Sequence, residues 1–257
     1  FNGVFNRKLL SINDHFSILL GQYYWLVTRI TGCALSKRYY CWRCFGSKHV
    51  LLQFILIIRV EPLKILYGVQ GTGNGHTTRA RVMAKAFNQR KDIQVDYLFS
   101  GREKYKYFDM QVFGDFASYR GLSFETRAGK ISQYETLKAA KIRELYRDIK
   151  TVRVQDYDLV INDFEPISAW AAKLNRIPSI SISHQAAFIH PIPKHTGTLF
   201  DRLITRYFAP TDLQLGVHWY HFGHAIMPPF IEADDVKSPP SRTYLVYLPF
   251  EEIADVS

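Results

Sequence analysis

One stretch limits the folds open to this chain more than any other: an apolar strand that runs into a glycine-rich turn and out into a helix. From Lys64 it reads Lys-Ile-Leu-Tyr-Gly68-Val-Gln-Gly71-Thr72-Gly73-Asn74-Gly75-His76-Thr-Thr-Arg79. Ile65, Leu66, Tyr67 and Val69 form a short buried strand bounded by glycine. From Ala80 the apolar residues Ala80, Met83, Ala84 and Phe87 recur at the spacing of one helix face. The glycines between let another molecule approach the backbone, and N–H groups at a helix start attract an anion or an electron-rich group. His76 falls at that helix start, so its imidazole is expected in the same crevice.

The common nucleotide fingerprints do not fit. In a dinucleotide G-x-G-x-x-G, His76 would occupy the third glycine's place, and the acid expected about 20 residues on is lacking at the second strand's end. The only acid there, Asp96, lies inside the strand Ile93 to Phe99. No lysine follows Gly75, as a phosphate-cradling P-loop requires. A turn that merely packs strand on helix is the plain alternative.

The run from Lys64 to His76 resembles the opening of a family of bacterial glycosyltransferases of the GT-B fold, distantly similar to the N-acetylglucosaminyltransferase of peptidoglycan-precursor synthesis. The likeness continues through Asp96 to Gly101, Tyr157 to Glu165, Ser183-His184-Gln185, Phe200 to Phe208 and Tyr244 to Phe250. It covers about residues 63 to 257 and no part of 1 to 62. The fold it implies is α/β: a Rossmann-like parallel sheet with helices on both faces, as the N-terminal domain of a GT-B protein whose C-terminal domain is truncated. It implies transfer of a sugar from a nucleotide-sugar, bound as substrate with no cofactor, to a hydroxyl that a lipid-linked acceptor would supply.

Three segments follow. Residues 1–62 hold eight Lys/Arg and two Asp/Glu, a net of +6, and so carry most of the chain's +10. That distribution argues against a nucleic-acid surface on the remainder. All three cysteines lie there, and Cys41-Trp-Arg-Cys44 has no second pair to complete a metal site. Leu51 to Val60 is too short to span a bilayer. Leu63 stands where the family starts with methionine, so 1–62 is expected to be upstream sequence read through, with a membrane anchor as the alternative. Residues 63–225 are the expected Rossmann-like domain. Residues 226–257, with two double prolines, are the expected linker and the first strand (243 to 248) of a further domain. A cytoplasmic place is expected, with peripheral contact on the membrane's inner face.

Within the domain we expect short strands at 108–110 and 123–126 and an amphipathic helix over 133–152 with Tyr134, Leu137, Ile142, Leu145 and Ile149 inward. We expect strands at 157–161 and 180–183, a helix from Pro166 carrying Ile167, Trp170, Ala171 and Leu174, a helix at 199–208 and a strand at 213–219. In open parallel sheets ligands bind at the strands' carboxyl ends. That rule makes His76 the candidate base, because imidazole titrates near neutral pH, and Asp163 the carboxylate that orients it. Substrate contacts are expected from Gly71, Thr72, Gly73, Asn74 and Gly75, from Glu165 (otherwise a helix N-cap), and from His184 and Gln185 (His184 otherwise packing at a strand end). No metal is expected. As a fragment the chain is expected to be inactive. Two rival readings are a sugar-nucleotide 2-epimerase and a non-catalytic, membrane-docked subunit completed by a partner.

Overall fold

The computed structural model describes residues 62–122, 126–127, 130–131, 141–193, 199–224 and 226–230. The N-terminal extension with its cysteines, most of the strand expected at 123–126, Tyr134, Leu137 and the expected strand at 243–248 lie outside them. Strand β1 (Leu63–Gln70) runs into helix α1 (Asn74–Asn88), and β2 (Ile93–Ser100) and β3 (Phe116–Tyr119) follow. A two-stranded pair, β4 (Thr126–Arg127) and β5 (Lys130–Ile131), precedes α2 (Ile142–Thr151). The remainder alternates: β6 (Leu159–Asp163), α3 (Pro166–Asn175), β7 (Ser179–Ser183), α4 (His184–Ala187), α5 (Leu199–Tyr207), β8 (Leu213–Val217) and β9 (Ile226–Met227).

Seven strands make one sheet in the order β3-β2-β1-β6-β7-β8-β9, and all neighbours in it pair in parallel. This is the Rossmann-like α/β architecture expected. The order reverses between β1 and β6, and a crevice opens beyond the carboxyl ends of such a pair.

Alternation along β1 divides the core. Leu63, Ile65, Tyr67 and Val69 pack with Ala80, Met83, Ala84 and Phe87 of α1 on one face. Leu66, with Leu98 and Val160, packs with Ile149, Ile167, Ala171 and Ala172 of α2 and α3 on the other. Helix α3 lies close over β1 because Gly68 has no side chain. A Cβ there would sit 2.7 Å from Ser168 Cβ and closer still to its hydroxyl. Ser168 is fully buried and bonded to Asn162, so it has no room to yield. Gly68→Ala is therefore expected to cost about 1–3 kcal/mol through overpacking. Urea unfolding should show a lower midpoint with an unchanged slope; an unaltered midpoint would mean that α3 tolerates a shift.

Several expectations need correction. Residues 108–110 form no strand: Asp109 has a φ of 52°, and Arg81 of α1 takes the carbonyls of Phe108 and Asp109 at 2.8 and 3.0 Å. Ladder carbonyls spent on a side chain cannot pair. The third strand is instead Phe116–Tyr119, anchored where Phe113, Phe116 and Tyr107 meet Phe99 edge-on. Ile142 and Leu174 are exposed (59% and 58%) rather than inward. The face α3 buries is set by the small Ala171 and Ala172, which let it approach the sheet. The strand expected at 157–161 is displaced to Leu159–Asp163, so Asn162 and Asp163 are its last residues. Ile226–Met227 pairs with β8, so the sheet takes two residues assigned to the linker.

Candidate active site at the sheet's switch point

Beyond β1 the chain crosses the sheet edge in three residues. Gly71 N–H donates to Ser100 O at 2.6 Å, which ties the turn to the end of β2. Gly73 is the N-cap of α1 in an extended conformation, supplies no side-chain cap, and is followed by no acid in the first turn. His76 is the third residue of that helix and projects across the crevice toward β6.

There it meets Asp163, the last residue of β6. His76 Nδ1 lies 2.7 Å from Asp163 Oδ1, with the carboxylate fully buried. Arg79, one turn along α1, donates from Nε to Oδ2 and from Nη2 to Oδ1, both at 2.7 Å. Burial pushes the Asp163 carboxyl up, but Arg79 and then His76 hold it below the usual carboxylate range. The ionised oxygen at 2.7 Å requires a proton on Nδ1, because two lone pairs would repel at that distance. The 3.2 Å approach of Arg79 Nη2 to the same Nδ1 is then a meeting of two N–H groups. Nε2 is left as the ring's open position, and the Gln185 amide nitrogen stands 3.5 Å from it.

The turn after Asp163 is under strain and braced. Phe164 has a φ of 56°, sparsely allowed for a bulky residue, and its ring lies against Phe208 at 4.7 Å. Asn162 Nδ2 donates to Glu165 O at 2.7 Å, and Glu165 N–H donates back to Asn162 Oδ1 at 3.2 Å. These bonds fix where β6 ends and so where Asp163 points.

The structure places Glu165 in its alternative role, at the cap of α3. It is fully buried, accepts from Ile167 and Ser168 N–H at 2.8 and 2.6 Å as the N-cap of α3, and takes the Ser100 hydroxyl at 2.6 Å. Burial pushes its carboxyl above the ordinary value against those bonds. Gly71 is also removed from the crevice: it is buried, and the Tyr107 ring covers it at 2.7 Å from where a Cβ would stand. The Thr72 hydroxyl accepts from Gln70 Nε2 at 2.8 Å. Arg102 holds Thr72 O at 3.1 Å and Asn74 Oδ1 at 3.0 Å, a cation beside the α1 N-terminus that suits an anionic ligand and opposes the helix dipole without one. Gly73 and Gly75 differ from Gly71. Both have ordinary φ, and a Cβ on Gly75 would meet no atom within 4 Å. Gly73 suits the N-cap of α1, and among the described residues no contact requires a glycine at 75.

Ser183 caps α4 by accepting from Ala186 N–H at 3.0 Å, which sets His184 and Gln185 at the end of β7. Gln185 turns to His76. His184 turns the other way: its Nδ1–H donates to Val217 O at 3.0 Å and its ring stacks on His218 at 5.3 Å. Burial lowers its pKa below the ordinary imidazole value, opposed by the Val217 carbonyl. The His184 ring thus makes the strand-end contacts that were its alternative reading, turned to Val217 and His218. A cleft of about 400 Å³ opens between Asn74, Gly75, Thr78 and Arg79 of α1, Val217 of β8, and Pro229 and Phe230. A larger depression of about 590 Å³ lies along the outer side of α2 and includes no residue of the sheet edge.

Reading the sequence missed Arg79, although it stands three residues after His76 on the same helix face. It also missed Gln70 and Ser100, whose place at the ends of β1 and β2 was the available signal. Among the described residues no group of three or more His, Cys, Asp and Glu is set to hold a metal ion.

Fold and site together define a doubly wound α/β protein whose switch-point crevice holds a carboxylate-oriented histidine beside an open helix start. The family model for glycosyl transferase family 1 matches residues 63–211, and the chain belongs to that family. No curated protein matches it in sequence. Among solved structures, Acinetobacter baumannii MurG is 13% identical at a TM-score of 0.39 and covers 66% of this chain and 47% of its own. The glycosyltransferase SnogD from Streptomyces nogalater is 12% identical at 0.39, covering 70% and 53%. A UDP-N-acetylglucosamine 2-epimerase is 13% identical at 0.38, covering 61% and 42%. The chain thus spans about half the length of the structures it matches.

Proposed function

We propose that residues 63–230 form the acceptor-side domain of a glycosyltransferase that moves a sugar from a nucleotide-sugar to an acceptor hydroxyl. The observation that carries this is the 2.7 Å contact of His76 Nδ1 with buried Asp163, which leaves Nε2 open at the switch point. The acceptor O–H gives its proton to Nε2 as its oxygen bonds to the anomeric carbon. The bond from that carbon to the diphosphate breaks, and its electrons leave with the nucleoside diphosphate. A histidine suits the task because it exchanges protons near neutral pH. The helix start at Gly73 to His76, with Arg102 beside it, faces the negative charge that develops on the diphosphate.

A lipid-linked acceptor fits the same edge, where Ile189, Trp219 and Tyr220 are exposed and suit an apolar–aqueous boundary. Among the described residues no helix is long and apolar enough to cross a membrane.

The test is acceptor-dependent release of nucleoside diphosphate, with a polyprenyl-linked saccharide in detergent as acceptor. With a donor-side domain of the family joined at the carboxyl end, release is expected only when donor and acceptor are both present. The 257-residue chain, whose described residues hold one Rossmann-like sheet, is expected to bind without turning over. Turnover by that chain alone would remove the acceptor-side assignment. Conversion of the donor without any acceptor would move the protein to the epimerases.

A further inference from the structure

We propose that Arg79 is a positioning residue: it serves as counter-ion to Asp163 and so leaves His76 a neutral imidazole, protonated at Nδ1 and open at Nε2. This deepens the glycosyl-transfer reading and rests on it only for what the open nitrogen is used for. A carboxylate as buried as Asp163 needs a cation, since an uncompensated buried charge is strongly unfavourable. Among the described residues two cationic or ionisable groups reach it, His76 and Arg79. If His76 supplied the charge, it would be an imidazolium with no lone pair, useless as a base. Arg79 removes that demand, because its guanidinium stays charged and faces both carboxylate oxygens in a fork.

The surroundings of His76 agree. From α4, Gln185 offers an amide N–H toward Nε2, a contact that suits a lone pair there. His184, next to it, is turned to Val217 and His218. From β1, Tyr67 lies near Asp163 and Arg79, and burial keeps its hydroxyl protonated far above the ordinary tyrosine range. Among the described residues no second carboxylate shares the pocket with Asp163, for Glu165 is spent on the cap of α3. Arg79 is thus the cation that decides whether the ring must be charged.

Nitrogen-15 spectra of histidine-labelled protein test this without donor or acceptor, recorded about one pH unit above the ordinary imidazole midpoint of roughly 6.5. The His76 signals are assigned by their loss in His76→Gln. The unaltered protein should show a protonated-type Nδ1 and a pyridine-type Nε2. In Arg79→Met both nitrogens should shift to the protonated type, as the buried carboxylate retains the imidazolium as its remaining cation. Arg79→Met with Asp163→Asn should restore one pyridine-type nitrogen.

An Arg79→Met spectrum like that of the unaltered protein would overturn the proposal. So would a pyridine-type Nδ1 or an imidazolium in the unaltered protein, a result that needs no variant to fold. Transfer, where it is measured, should be lost in Arg79→Met near neutral pH and return as the pH is raised; a merely structural role would leave that profile in place. Failure of the transfer assay with these spectra intact would sink the glycosyl-transfer reading and leave the Arg79 assignment standing.

Discussion

Asp163→Ala is expected to destabilise the fold by about 3–5 kcal/mol, the cost of breaking a buried pair by removing one partner. The side chain of Arg79 is only 13% exposed; without the carboxylate its charge stays in place with nothing to meet it. The cost therefore comes from the abandoned cation more than from lost attraction. Arg79→Met combined with Asp163→Leu should accordingly be much milder than Asp163→Ala, because a packed apolar pair can replace a buried ion pair at little net cost. Chemical denaturation of the three proteins decides this. If the double variant is as unstable as Asp163→Ala, the pair is not what holds the site.

The pH dependence has a definite sign. Asp163 is held below its unfolded value of about 3.9, so its contribution is complete above that pH and is lost as the pH falls through the folded value. Asp163→Ala should lack this acid limb.

In the protein completed by a donor-side domain, His76→Ala is expected to lower acceptor-dependent transfer by about 100- to 10,000-fold, the usual contribution of a positioned general base, with little effect on stability. The ring is partly exposed (14%), so its removal opens onto solvent and leaves no closed cavity. Asp163 keeps its partner in Arg79, and the fold should survive. His76→Asn should lose as much, since an amide retains the bond to Asp163 and offers no lone pair suited to take a proton. A fall in kcat with KM little changed is the signature of a group that acts in the transition state. Full transfer by His76→Ala would end the assignment of His76 as the base.

Much of this architecture was legible because it is local. The alternation of β1 and the spacing of α1 each report a period, and a glycine-rich turn between them is a property of neighbouring residues. The displacement of β3 from 108–110 to Phe116–Tyr119 was not legible, because it depends on Arg81 reaching two carbonyls from another element. Glu165 shows the same limit. Its place before Pro166 allowed a cap or a crevice contact, and burial against Ser100 decided for the cap. Gly71 and Gly75 read alike in sequence; Tyr107 covers the first, and among the described residues nothing covers the second.

The sequence by itself determined that a strand, a glycine-rich turn and a helix would follow one another from Ile65 to Phe87, with His76 at the helix start; the parallel sheet was what the family resemblance implied. Periodicity and turn chemistry act within a few residues and need no partner. Only the tertiary structure decided what His76 faces. The order β2-β1-β6 puts Asp163 across the switch point and swings Arg79 onto both of its oxygens. Those contacts join residues 84 and 87 positions apart, and sheet order and register, rather than any local pattern, bring them within hydrogen-bond reach.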